Sequence, residues 1–479
     1  MSDLLATTAG YWAGRFQPDP SLPLVAVIDP ATGATVGSVP EYGATHASQA
    51  VDAATRALRA PFPLDERRRV LLGIADALEG ARVELARIIT AENGKPLAEA
   101  EAEVSYAAGF FRDAAGHLDA LAPRELATRP RGHRWQVFHR PAGVAALITP
   151  WNFPVGMLAK KLAGALAAGC SVVIKPSELT PLSCIAFVHL IHPLGLPDGM
   201  VNLVFGRAAE IGHVLCERPE VQVLSFTGST AVGRLLAAQC APSLKRLSME
   251  LGGNAPFVVF ADADLDRAAD ELMANKFRCA GQTCVCANRV LVDAEVHDAF
   301  VERVVARVRA LKVGPGAVAG TDVGPLVDER AWRKVDAMVG DAVASGARAV
   351  VGRTSEPPAM GWFYTPTVLV GVEPGMRCWE EELFGPVVSI SRFTSEEQAF
   401  QLANDTEYGL AAYVFSADTD RLDRAAARLH FGHIGLNTSS GPTPEEPFGG
   451  MVQSGLGREG GLEGVLEFIE LQTCPTRTG

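Results

Sequence analysis

From Gly143 onward the chain alternates short apolar runs with helical stretches. That alternation limits the fold more than any other feature. Val144–Ile148 is an apolar run closed by Pro150, and Ser171–Ile174 is a second, followed by a helix over Pro181–Leu190. Val201–Val204 and Val221–Phe226 read as strands, with helices over Ala208–Cys216 and Ala231–Cys240. Strands joined through helices must pair in parallel, because a tight hairpin cannot connect them. Such sheets bind ligands beyond the carboxyl ends of their strands. Upstream, Ala47–Ala120 has helical spacing and Arg134–Arg140 alternates like a strand or hairpin arm. After Gly253, Pro256–Phe260 predicts a buried strand and Asp262–Ala280 a helix, opening a second βα block that runs to about Glu445. The tail Val465–Cys474 reads as a strand without a local partner and is expected to complete a sheet elsewhere, another subunit included.

A chain of 479 residues exceeds what one hydrophobic core can serve, so several domains are expected. The net charge of −12 argues against a nucleic-acid or anionic-membrane partner. Met1-Ser2-Asp3 opens no basic-then-apolar signal, and the run Leu162–Ile174 is too short to span a bilayer. Nine cysteines, an odd number, fit free thiols in a reducing cytoplasm better than a disulfide framework. Cys279, Cys284 and Cys286 lack zinc spacing and a nearby histidine, so no metal is expected.

Several short segments carry candidate chemistry. Gly455-Leu-Gly457-Arg-Glu-Gly460 matches G-x-G-x-x-G, but it follows no predicted strand and has no acidic partner about twenty residues on. It reads as a turn before a helix. Phe226-Thr-Gly228-Ser229-Thr-Ala-Val-Gly233 sits between a predicted strand and helix, where backbone amides can meet a phosphate. Lys175-Pro-Ser177-Glu178 ends another strand, and a lysine with an acid there can bind ribose hydroxyls. Glu250 precedes Leu251 and two glycines, which leaves room for a water beside a general base. Asn152 lies between Pro150 and Pro154 in a loop able to hold an amide donor against an oxyanion. Cys284 follows Gly281-Gln-Thr at a helix end, and a thiol nucleophile needs such a shaped site. Each segment alone reads equally as a turn, a cap or a core thiol. Together they supply a thiol, a carboxylate, an amide and a cofactor-type turn.

These residues together resemble the aldehyde dehydrogenase superfamily over nearly the whole chain. Pro150-Trp-Asn-Phe, Phe226-Thr-Gly-Ser, Glu250-Leu-Gly-Gly, Gly281-Gln-Thr-Cys, Glu381-Glu-Leu-Phe-Gly-Pro and Pro447-Phe-Gly-Gly carry the likeness, in the family's order and spacing. The resemblance implies Cys284 as nucleophile, the Asn152 amide and the Cys284 N–H as oxyanion donors, and Glu250 as the base for water. It implies NAD as cofactor, with NADP possible, bound by Ile148, Thr149, Pro150, Trp151, Lys175, Ser177, Glu178, Gly228, Ser229, Gly233 and Leu251. Glu382 would hold the nicotinamide ribose, and Phe384 would pack near the ring. Glu178 favours NAD by repelling a 2′-phosphate, and Ser177 would soften that preference.

The fold so implied is α/β. A Rossmann-type cofactor domain takes residues 1–123 and 142–250, a catalytic domain 251–445, and oligomerisation elements 124–141 and 446–479, in a homodimer or homotetramer. The segment Lys276–Arg289 resembles the succinate-semialdehyde dehydrogenase branch, in which an arginine at Arg278 binds the substrate's distal carboxylate. A second arginine of that branch falls at Lys160, which keeps the charge and loses the fork. Phe153, Met157, Thr443 and Phe448 complete the expected substrate pocket. Succinic semialdehyde, 2-oxoglutaric or glutaric semialdehyde and an uncharged aldehyde all remain open as substrates. A CoA-acylating relative is disfavoured by Glu250, and a non-catalytic one by the presence of both nucleophile and base. In that branch a cysteine at Cys286 pairs reversibly with the nucleophile.

Overall fold

A computed structural model describes residues 3–127, 130–353 and 358–478. Residues 128–129 of the expected hairpin lie outside the described residues.

The first βα block forms an eight-stranded sheet. Its five parallel strands run in the order Val201–Leu203, Ser171–Lys175, Val144–Ile148, Val221–Thr227, Arg246–Glu250. Val144–Ile148 comes first in the chain and lies in the middle, so the strand order reverses between it and Val221–Thr227. A crevice opens at such a reversal, because the crossovers on either side lead away from it. Register puts the strand ends level: Ile148 pairs with Lys175 on one side and Phe226 on the other, and Thr227 pairs with Glu250. Four candidate loops therefore share one rim. Antiparallel strands Gly10–Trp12 and Gly455–Leu456 extend the sheet on its two sides, with Arg15–Gln17 beyond the first.

Helix Pro154–Ala168 lies in the core of this block. Proline opens it, Gly169 at φ 88° closes it, and every residue but Met157 is buried, Lys160 and Lys161 included. Helices Ala44–Ala57, Leu64–Gly80, Arg82–Asn93 and Leu97–Gly116 account for the expected helical region.

The second block is a seven-stranded sheet with the parallel run Thr367–Val370, Val387–Phe393, Ala287–Asp293, Ala255–Val259, Ala411–Phe415, His433–Leu436. Its core, from Ala255 to Phe448, is separate from the first, which ends at Leu251 and resumes at Val465, Phe468 and Ile469. The expected boundary at 446 thus falls ahead of a stretch that returns to the first core. The expected helix Asp262–Ala280 is shorter, covering Leu265–Lys276. It stops because Cys279 and Ala280 turn left-handed.

The tail strand begins at Ile469, after a short helix Gly461–Leu466 that takes Val465 out of the expected strand. It runs to Arg477 and pairs antiparallel along its length with His133–Pro141 of the same chain. Among the described residues no helix is long and apolar enough to cross a membrane.

Candidate active site

A cavity of about 670 Å³ lies between the two cores. Cys284, Glu250 and Asn152 all line it, although their sequence positions are far apart.

Cys284 is brought there by a strained turn. Cys279, Ala280 and Gly281 have φ of 50°, 55° and 75°. For residues with a Cβ this costs about 1–2 kcal/mol each, so neighbours must hold it. The Glu99 carboxylate accepts the Cys279 N–H at 2.7 Å. Gln282 donates from Nε2 to the Cys279 carbonyl at 2.9 Å and accepts the Val327 N–H at 2.9 Å. A Cβ on Gly281 would stand 2.2 Å from the Gly385 carbonyl oxygen, so only glycine fits. Burial pushes the Cys284 thiol up to about 12, with Glu382 adding to the rise and Lys160 and Arg278 opposing it. The thiol is therefore neutral at pH 7 in this state. Cys286 does not line the cavity; its thiol donates to the Lys276 carbonyl at 3.5 Å.

Asn152 is held from several sides. Its side-chain amide donates to the Gln282 carbonyl at 2.8 Å, tying it to the turn that carries Cys284. Its backbone carbonyl accepts from Lys95 at 2.6 Å, and its Oδ1 accepts the Phe153 N–H at 3.1 Å. An amide nitrogen has two hydrogens, so one remains for an oxyanion.

Glu250 is 4% exposed, and neither carboxylate oxygen has a partner among the described residues. Burial, reinforced by the negative charge of Glu459, raises it to about 8 against the pull of Lys160, Lys161 and Arg458. A carboxylate poised near neutrality is what a general base requires. Glu459 sits in a buried cluster with Lys161, which also donates to Ser225 at 3.0 Å, and with Lys160 at 3.4 Å. Burial works against the charge of Glu459, but Lys161 and Lys160 outweigh it and hold its carboxyl below the usual range.

Sequence reasoning missed Glu459 and Lys161. Glu459 lies inside the G-x-G-x-x-G stretch set aside as a turn, where Gly455 pairs with Glu250 across an antiparallel ladder. Two lysines in an otherwise uncharged, buried helix were the available signal.

The cofactor candidates gather at the sheet's reversal. Pro150, Trp151, Gly228, Ser229, Leu251, Glu382 and Phe384 line the cavity. Ser229 caps helix Thr230–Cys240, accepting the Val232 N–H at 3.4 Å, which leaves this helix N-terminus facing the cleft. Gly233 packs so closely on Leu251 that a Cβ would come within 2.4 Å. Glu382 accepts the Gly253 N–H at 3.2 Å, and Trp151 meets Phe384 edge-on at 5.7 Å. Ile148, Thr149, Lys175, Ser177 and Glu178 stand at the same rim outside the cavity wall. Lys175 donates to Glu178 at 2.5 Å, and Ser177 accepts the Leu179 N–H at 3.2 Å. Thr149 is buried with its hydroxyl unpartnered. An orphaned hydroxyl, a helix N-terminus at the cleft and a Lys–Glu pair at strand ends fit a dinucleotide.

Phe153, Met157, Lys160, Arg278 and Phe448 line the other end. Lys160 lies 4.3 Å above the Phe448 ring. Arg278 forms no ion pair among the described residues, its Nε is unpartnered, and its guanidinium lies 5.4 Å from the Phe153 ring. Lys160 is thus paired with Glu459, while Arg278 has no ion pair and feels Glu99 only at longer range. Thr443 is an exception to expectation: it is exposed and its N–H donates to Glu446 at 3.2 Å, while Gly441 and Pro442 form the wall instead. Its loop turns back on itself, so its hydroxyl is not in the cavity.

Residues 17–474 match the model of the aldehyde dehydrogenase family. The chain is 45% identical to a non-phosphorylating aspartate-semialdehyde dehydrogenase of Halomonas elongata, covering 93% of this chain and 90% of the relative. It is 44% identical to the NADP(+) succinate-semialdehyde dehydrogenase of Escherichia coli, covering 93% of each. The crystal structure of betaine aldehyde dehydrogenase from Staphylococcus aureus in complex with NAD+ superposes with a TM-score of 0.95 at 33% identity, over 99% of this chain and 95% of that one. The cavity with its thiol, amide and buried carboxylate belongs to a chain that is a member of the aldehyde dehydrogenase family.

Proposed function

We propose that the protein oxidises an acidic aldehyde, an ω-oxo acid such as succinic semialdehyde, to its carboxylic acid through a thioester on Cys284. The supporting observation is one cavity that joins Cys284, the Asn152 amide and the unpartnered Glu250 to Arg278, whose Nε has no partner among the described residues. Arg278 and Lys160 take the distal carboxylate and bring the aldehyde carbon to Cys284. The thiol loses its proton to Glu250, through water, as sulfur attacks the carbon. The free Asn152 N–H and the Cys284 backbone N–H stabilise the oxyanion. NAD+, which Trp151, Ser229 and Glu382 would hold, would supply the acceptor for the hydride that this carbon gives up. Glu250 passes the thiol's proton to solvent before it takes one from the water that opens the thioester; the Cys284 sulfur leaves as a thiolate and regains its proton from Glu250 as the acid departs.

NAD is the preferred cofactor on the reading that Glu178, paired with Lys175 at the strand end, meets the adenosine ribose and repels a 2′-phosphate. NADP serves less well, with Lys175 and Ser177 as its partial support. The names of the two curated relatives carry semialdehydes with a carboxylate, which favours an acidic substrate here. Residues 1–123 and 142–250 act as the cofactor domain and 251–445 as the catalytic domain. The strand Ile469–Arg477 is an exposed sheet edge with Leu471 60% exposed, which favours assembly as a homodimer or homotetramer through this sheet. The protein works in the cytoplasm.

NADH production from a panel of aldehydes with and without an ω-carboxylate tests this. Cys284→Ala abolishes it. Arg278→Ala lowers kcat/KM at least tenfold for acidic aldehydes, with neutral ones within threefold. An equal loss for both kinds refutes the carboxylate role, and an active Cys284→Ala refutes the nucleophile.

A further inference from the structure

Four polar side chains between Asn93 and Glu103 grip both sides of the cavity, and the chemistry above gives none of them a part. Asn93 donates to the Trp151 carbonyl at 3.0 Å. Lys95 donates to the Asn152 carbonyl at 2.6 Å and to Glu103 at 2.5 Å, and lies 3.7 Å above the Phe153 ring. The other Glu103 oxygen accepts the Val155 and Gly156 N–H groups at 2.9 and 3.1 Å, at the start of helix Pro154–Ala168. Glu99 accepts the Cys279 N–H in the strained turn that leads to Cys284. Glu99 and Glu103 are one helical turn apart on Leu97–Gly116, so they share a face.

The Lys95–Glu103 pair is completely buried. An apolar pair of similar volume would stabilise a fold as well or better, so stability alone does not account for these charges. What the pair does that an apolar pair cannot is fix a backbone carbonyl and two backbone amides in one place. We propose that Asn93, Lys95, Glu99 and Glu103 are positioning residues forming a two-sided clamp. Lys95 and Glu103 hold the Trp151–Gly156 loop that carries the amide, Glu99 holds the Cys279 turn that carries the thiol, and Asn93 touches both, donating to the Trp151 carbonyl and accepting from the Cys279 thiol. Both grips start from one short, rigid segment, so together they set the distance between amide and sulfur. A displacement of about 1 Å between such groups costs on the order of 100-fold in rate.

The inference rests on the assignment of Asn152 and Cys284 above, and two readouts test it on full-length protein. One is kcat with succinic semialdehyde and NAD+; the other is the alkylation rate of Cys284 by iodoacetamide, followed on its peptide by mass spectrometry without turnover. Glu99→Leu is expected to lower kcat about 100-fold with the KM for NAD+ within twofold, and to change Cys284 alkylation more than fivefold. Glu99→Gln keeps an oxygen for the Cys279 N–H and restores both to within threefold of wild type. Lys95→Met with Glu103→Leu removes the pair without stranding a charge; kcat falls by a similar factor while Cys284 alkylation stays within twofold. If this double variant does not fold, Lys95→Met with Glu103→Gln, which keeps an acceptor for the Val155 and Gly156 N–H groups, carries the same expectation. The clamp is refuted if Glu99→Leu leaves kcat and alkylation within twofold, if Glu99→Gln is as impaired as Glu99→Leu, or if the loop-side variant keeps its kcat. An active Cys284→Ala would instead overturn the underlying assignment.

Discussion

Glu250 is held near 8 by burial and by the neighbouring charge of Glu459, and that makes a quantitative pH profile. As the proposed base, Glu250 must be deprotonated to work. At a midpoint of about 8, roughly one-tenth of it is deprotonated at pH 7 and roughly nine-tenths at pH 9. kcat/KM for the aldehyde is therefore expected to rise about tenfold over that interval, then level off. An exposed carboxylate, already ionised at pH 7, would give no rise. Glu459→Gln removes the second-largest cause of the elevation and frees Lys160 and Lys161 to act on Glu250. Both changes favour the ionised base, so the midpoint moves to lower pH and the profile between pH 7 and 9 flattens. Glu250→Gln abolishes the limb and lowers kcat by about 10²–10⁴-fold. Initial rates of NADH formation from pH 5.5 to 9.5, with Cys284 alkylation followed in parallel to separate the thiol's own titration, provide the assay. A wild-type midpoint below 6, or an unmoved midpoint in Glu459→Gln, refutes the buried-base account.

Three more expectations follow from the geometry. Gly281→Ala places a Cβ 2.2 Å from the Gly385 carbonyl oxygen at a φ of 75°; strain of about 1–3 kcal/mol should lower the thermal midpoint by calorimetry, and an unchanged midpoint would show that the turn relaxes freely. Glu178→Ala removes the carboxylate that Lys175 engages at 2.5 Å, so kcat/KM should shift at least tenfold toward NADP; an unchanged NAD to NADP ratio would place the 2′ position elsewhere. Peroxide should inactivate wild type reversibly with dithiothreitol and Cys286→Ala irreversibly, although Cys286 must first leave its bond to the Lys276 carbonyl; identical recovery in both would rule out a Cys284–Cys286 disulfide.

Some of this molecule is local in origin. Val144–Ile148 is read to the residue from its apolar run and the proline after it, and Val221–Thr227 to within one. Short β-branched runs bounded by Gly and Pro have little else to become. The parallel sheet follows from the helices between such runs, and the rim where Asn152, Ser229 and Glu250 gather follows from the sheet. Legibility ends where a property depends on what lies across the cavity. Helix Leu265–Lys276 stops early because Glu99, from the first core, holds the Cys279 turn left-handed. Thr443 looks like a pocket hydroxyl in sequence, but its loop folds onto Glu446 and leaves the wall to Gly441 and Pro442.

The amino-acid sequence by itself determined the α/β class, the order of the elements and the identities of the thiol, amide and carboxylate. Only the tertiary structure decided their charge states. Glu250 rises because strand Gly455–Leu456 seals its edge and brings Glu459 beside it. Lys160 is ion-paired because Glu459 reaches it, and Arg278 has no ion pair among the described residues. Desolvation and Coulomb interactions depend on distances between residues remote in the chain, and no local pattern encodes those distances.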